Sequence, residues 1–170
     1  MVQLSSGILG FAMVLVVFPV VGVAEAVEDK ATTQDRKRIE GTWTVAALTT
    51  NGGKAKKQDL EKLRVINDGD GNWTLLSEDK MISKGTSTLD PRKKPKAIDF
   101  TVTEGEGTGK QYRGIYKIGK KNRRMCFAPS EQDRPNEFRS KPGSNHILVV
   151  YERLASAANE TPKDISASEQ

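Results

Sequence analysis

The chain is poor in the residue types on which most enzymatic chemistry depends. Its 170 residues include one cysteine, Cys126, and one histidine, His146. A lone cysteine excludes an internal disulfide, so the fold does not depend on an oxidising compartment. Flanked by Met125 and Phe127, Cys126 reads as a small buried hydrophobe; a reactive thiol or an intermolecular disulfide is the alternative. No H-E-x-x-H, C-x-x-C, nucleophile-elbow or phosphate-loop pattern is present, which excludes the sites those patterns build. Gly105-Glu106-Gly107-Thr108-Gly109 is glycine-rich, but it joins two strand-like runs, whereas a phosphate cradle opens a helix. Asp68-Gly69-Asp70-Gly71 matches only the opening of a calcium loop and lacks the closing Glu, so it reads as a tight turn. No catalytic residue, metal ligand or cofactor is assigned, and the chain is expected not to be an enzyme.

Long apolar runs are scarce as well. The one candidate, Ile8 to Phe18, is shorter than the roughly 20 apolar residues of a membrane span. It is followed by Pro19 and by small residues ending Ala24-Glu25-Ala26, the layout of a signal-peptide core and cleavage site. Residues 1–26 are therefore expected to be a signal peptide removed before Val27, with export to the periplasm or the exterior. The leading residues lack Lys and Arg, which leaves an uncleaved anchor as the alternative. Residues 1–26 contribute only Glu25 to the charge, so the remainder carries 27 basic and 21 acidic groups, a net of +6. That balance favours anionic partners. Residues 27–34 read as a linker, and Asp35 to Glu40 as a charged turn of helix at most. Residues 155–170 hold Ile165 as their one large apolar residue, too little to offset ordering entropy, and are expected to be a disordered tail.

Between linker and tail, β signals dominate one domain over residues 35–154. Runs of β-branched and aromatic residues alternate with Gly, Asn, Asp and Pro clusters. Eight strands are expected, near Thr42–Thr49, Leu63–Asn67, Asn72–Glu78, Met81–Leu89, Ala97–Thr103, Gln111–Ile118, Arg123–Ala128 and Ile147–Arg153, with a short helical turn near Gln58 to Lys62. No long amphipathic helix interrupts them, which disfavours a parallel βαβ sheet. The fold class is all-β, and the expected architecture is a small eight-stranded antiparallel up-and-down barrel, with a β sandwich as the alternative. Such a barrel either fills its inside with side chains or holds one small ligand.

Several motifs recur in a fixed order: Glu40-Gly41-Thr42-Trp43-Thr44-Val45, Leu89-Asp90-Pro91 with Pro95, Ile98-Asp99-Phe100, Arg113-Gly114-Ile115-Tyr116, Met125-Cys126-Phe127, Arg134-Pro135 with Phe138, and Tyr151-Glu152-Arg153. Together they resemble an uncharacterised lipocalin-like domain family abundant in planctomycete bacteria, over about Asp35 to Leu154. The family has no assigned activity, so the resemblance implies a fold and little about function. The chain departs from the pattern at Gly119-Lys120-Lys121-Asn122 and at Arg123, where the family looks more acidic and then apolar. Gly41-x-Trp43 looks like the lipocalin signature. It implies that Trp43 plugs one barrel end and that Arg153, late in the last strand, stacks on it within about 6 Å.

Two partner classes follow. In an up-and-down barrel the connections alternate between two ends. At the mouth, nine basic and nine acidic residues cancel. The plugged end gathers Arg36, Lys37, Arg38, Arg92, Lys93, Lys94, Lys96, Lys120, Lys121, Arg123 and Arg124 against five acids, a net of +6. The first expectation is a binding or interaction protein whose basic plate meets an anionic envelope component or an acidic protein. Nucleic acid is disfavoured, because no aromatic residue is interleaved with these charges for base stacking. The second is a carrier of a small apolar ligand in the barrel mouth. The segment Pro129 to His146 is too long for a simple turn and is expected to fold over that mouth; Arg134-Pro135 and Phe138 are expected to staple the segment down, with an inward turn of Arg134 and Phe138 as a mouth lid the alternative.

Overall fold

The computed structural model describes residues 29–154. The expected signal peptide, residues 27 and 28 of the linker, and the expected tail lie outside the described residues. Nine strands follow one helix: α1 (Lys30–Ile39), β1 (Gly41–Thr50), β2 (Gly53–Lys54), the single turn α2 (Lys57–Leu60), β3 (Leu63–Asn67), β4 (Asn72–Ser77), β5 (Lys80–Asp90), β6 (Ala97–Gly105), β7 (Gln111–Ile118), β8 (Asn122–Pro129) and β9 (Ile147–Arg153). Each strand from β4 onward pairs antiparallel with its predecessor, and β1 pairs with both β3 and β9. The sheet is thus a closed eight-stranded antiparallel up-and-down barrel, lipocalin-like in architecture, and the sandwich alternative is set aside. Closure leaves no unpaired edge in the barrel wall. β2 is a two-residue extension on β1, turned by Asn51 and Gly52, both at positive φ, the geometry of a tight hairpin.

Turn chemistry delivers the register. The Asp68 carboxylate accepts from the Asp70 and Asn72 amides at 3.0 and 2.8 Å and from the Asn72 side chain at 2.7 Å, which folds the β3–β4 turn around it. Gly105, Gly107 and Gly109 all have positive φ, so the glycine-rich segment forms the β6–β7 connection.

The first correction concerns α1. It spans ten residues, takes in residues 30–34 of the expected linker, and exceeds the single turn expected at Asp35 to Glu40. Asp29 caps it by accepting from the Ala31 amide at 3.0 Å, and Arg36, Lys37 and Arg38 sit in its last turn, where positive charge suits the helix dipole. The helix covers one barrel end. Ile39 joins the core there. Asp35, 3% exposed, accepts from Lys96 Nζ at 2.6 Å and from the Tyr116 hydroxyl at 2.7 Å. Burial and the adjacent Asp35 push the Tyr116 phenol far up, so it stays a donor.

A second correction concerns the segment between β8 and β9. It contacts the outer face of the wall, and none of its residues lines the interior cavity. Asp99 faces outward, between the inward Ile98 and Phe100, and receives both terminal nitrogens of Arg134 at 2.6 and 3.0 Å. Arg134 also donates to the carbonyls of Ile98 and Gly114. Cys126, fully buried, is covered from the same side: its Sγ lies 3.5 Å from the Arg139 carbonyl. Neither Arg134 nor Phe138 lines the interior cavity. The Arg134 contacts are those of a staple that ties the segment to the outer wall.

Candidate functional site

The site is assembled from the plugged end upward. Gly41 has φ +108°, and a Cβ there would stand 2.9 Å from Arg153 Nη1; only glycine suits both demands. That turn swings Trp43 inward, to 0% exposure. Its indole N–H donates to the Ile39 carbonyl at 2.7 Å. Arg153 lies 4.2 Å over the Trp43 ring and donates to the carbonyls of Glu40 and Arg38, so one guanidinium stacks on the plug and satisfies the end of α1.

Arg123 lies inside the barrel and not on the expected surface plate. It precedes Met125 and Phe127 at a spacing of two, and all three point into the barrel. Its guanidinium lies 4.6 Å from the Trp43 ring and 4.4 Å from the Tyr151 ring, and the residue is 2% exposed. Its Nε and Nη1 have no hydrogen-bond partner. Burial draws its pKa down to about 10, against a rise from Tyr151 and with a smaller lowering from Arg153, so it remains a cation at neutral pH. In the same lining, Asn67 Nδ2 is also buried and unpartnered.

Above these groups the barrel is hollow. The cavity has a volume of about 290 Å³. Alternate residues of β3 (Leu63, Val65), β4 (Trp73, Leu75), β8 (Met125, Phe127) and β9 (Ile147, Val149) form its apolar wall. Three of its aromatic rings meet edge to face: Trp73 with Phe100 at 6.0 Å and Phe100 with Phe127 at 4.7 Å. Two glycines make room for them. A Cβ at Gly85 would stand 1.9 Å from the Thr101 carbonyl oxygen and 2.7 Å from the Trp73 ring, and one at Gly114 would stand 2.5 Å from the Phe127 ring. Glu106 is the one carboxylate in the lining, and it is exposed.

The expected basic plate shrinks. Arg36 is buried and donates to the Ser87 hydroxyl at 3.0 Å and its carbonyl at 2.6 Å; like Arg123, it is removed from the surface. Lys96 and Arg38 pair with Asp35, Arg92 lies between Asp29 and Asp90, and Lys93 reaches Asp90 at 4.0 Å. Lys37, Lys94, Lys120, Lys121 and Arg124 are exposed. Sequence reasoning passed over Trp73, Phe127 and Asn67 as cavity residues and misplaced Arg123. The period-two parity of each strand is the signal that finds them. No protein-family model matches the chain, and no curated protein matches it.

Proposed function

We propose that this protein is an exported carrier that holds a small apolar or amphipathic molecule inside its barrel and performs no reaction on it. The observation that carries the reading is the apolar interior of about 290 Å³, at the lower bound of the roughly 300–1,000 Å³ of small-molecule sites. A barrel evolved only as a scaffold gains stability by filling such a space, since each lost contact in a core is destabilising. The two glycines that clear space for Trp73 and Phe127 also fit this use, because they let flat rings line the wall. Export rests on the apolar run and Ala24-Glu25-Ala26 alone.

The test fills the cavity. Decanol is titrated into the purified protein and followed by the fluorescence of Trp73, which stands in the wall. Saturable binding is expected. Val102→Phe, which adds volume to the lining, is expected to abolish binding while leaving the circular dichroism spectrum intact. Absence of saturable binding to the unaltered protein rejects the reading.

A second reading keeps the basic end as a contact for an anionic surface or an acidic protein. It is favoured by Lys94, Lys120 and Lys121, exposed on two neighbouring connections of the plugged end.

A further inference from the structure

The floor of the cavity carries a charge with no counter-charge. A buried cation is ordinarily paired and hydrogen-bonded, because an unpaired one loses its hydration without return. Arg123 breaks that rule. Trp43 and Tyr151 lie against its guanidinium at 4.6 and 4.4 Å, and their faces attract its charge. Ring faces accept no conventional hydrogen bond, and Nε and Nη1 are left with protons and no acceptor. Asn67 Nδ2 adds a further unsatisfied donor to the same lining. Every orphaned buried side-chain nitrogen or oxygen among the described residues is thus a donor, and each belongs to a residue of this cavity. Glu106, the one acid in the lining, is exposed and accepts from neither.

We propose that the carried molecule is a monocarboxylate with an apolar tail of medium length, its carboxylate received by Arg123 and Asn67 at the cavity floor and its tail lying along Trp73, Phe100 and Phe127. This deepens the carrier reading and rests on it. The head is an acceptor because the unpartnered buried groups of the lining are all donors. It is a carboxylate because an anionic oxygen makes a short, charge-assisted hydrogen bond with a guanidinium N–H. It is a monoanion because one cation lines the cavity, and a second buried negative charge would go uncompensated. The tail length follows from volume. At roughly 30 Å³ for a water-sized group, about 290 Å³ accommodates about ten heavy atoms. The guanidinium keeps its proton at neutral pH despite burial, so the charge is present when the ligand arrives.

The experiment compares decanoate with decanol on the delipidated full chain by calorimetry. These share a tail and differ in the head. Decanoate is expected to bind about ten- to hundredfold more tightly, the range of a charge-assisted hydrogen bond. Arg123→Met is expected to remove the preference for decanoate over decanol and to raise the melting temperature of the free protein, since it removes an unpaired buried charge. Should that variant fail to fold, the ¹⁵N resonance of Arg123 Nε in the unaltered protein decides: it is expected to move on addition of decanoate and to stay in place with decanol. Equal affinities in the unaltered protein, or an Nε resonance indifferent to the head, overturn the carboxylate site and leave the carrier reading standing. Binding of neither compound overturns both.

Discussion

Trp43 shows how much one side chain can be asked to do. It fills the plugged end, its N–H holds the last turn of α1 through the Ile39 carbonyl, and its ring carries Arg153 at 4.2 Å and Arg123 at 4.6 Å. Trp43→Ala is expected to destabilise the protein by about 3–5 kcal/mol, the usual loss on truncating a buried aromatic. Urea unfolding followed by circular dichroism measures it, and a change below about 0.5 kcal/mol would show that Trp43 is not core. The Trp43–Arg153 stack was legible, since Gly41-x-Trp43 opens the first strand and Arg153 ends its neighbour. Arg123 was not. It directly follows the turn Gly119-Lys120-Lys121-Asn122, where a base reads as one more solvated charge. Its spacing from Met125 and Phe127 points inward, and the pleat outweighs the preference of charge for water.

At the scale of elements, the two surprises share a cause: polar residues buried by tertiary partners. α1 has the sequence KATTQDRKRI, and its buried face consists of Thr32, Asp35, Arg36 and Ile39. That spacing is helical, but one member of four is apolar, so no hydrophobic periodicity marks it. Lys96, Tyr116 and Ser87 supply what the helix face needs, and they lie far along the chain. The β8–β9 connection is likewise held by a charged clamp, Arg134 on Asp99. Arg134→Met is expected to lower stability by about 1–3 kcal/mol, the range for hydrogen bonds to a charged group. Amide exchange around Cys126 is expected to speed up, because that face loses its cover. Decanol affinity is expected to stay unchanged; a loss would place the segment over the mouth after all.

For the molecule as a whole, net charge and its distribution are separable. Replacing Lys94, Lys120 and Lys121 with Glu reverses charge on connections at the plugged end, and replacing Lys54, Lys56 and Lys57 with Glu does so at the mouth. If the plugged end is a contact surface, the first set is expected to elute from a polyanion column at much lower salt than the second. Equal shifts would show that only net charge matters, since exposed charges act over a screening length of roughly 8–10 Å. The structure already removes Arg36 and Arg123 from that surface and ties Arg38, Arg92, Lys93 and Lys96 to acids, so the effect is carried by fewer groups than a count of bases suggests.

The sequence by itself determined the eight barrel strands, their order and their antiparallel closure. Alternation and turn residues are local properties, legible within about ten positions, and short connections leave a meander little choice but to curl on itself. Three things waited for the tertiary structure. Whether the barrel is hollow depends on the difference between its girth and the summed volumes of inward side chains from eight strands, a quantity that no single segment contains. The path of the β8–β9 connection depends on Asp99 and Gly114, partners separated from Arg134 by 35 and 20 positions. The inward turn of Arg123 depends on closure, which brings Trp43 of β1 and Tyr151 of β9 against β8 and encloses a guanidinium that in an open strand would face water.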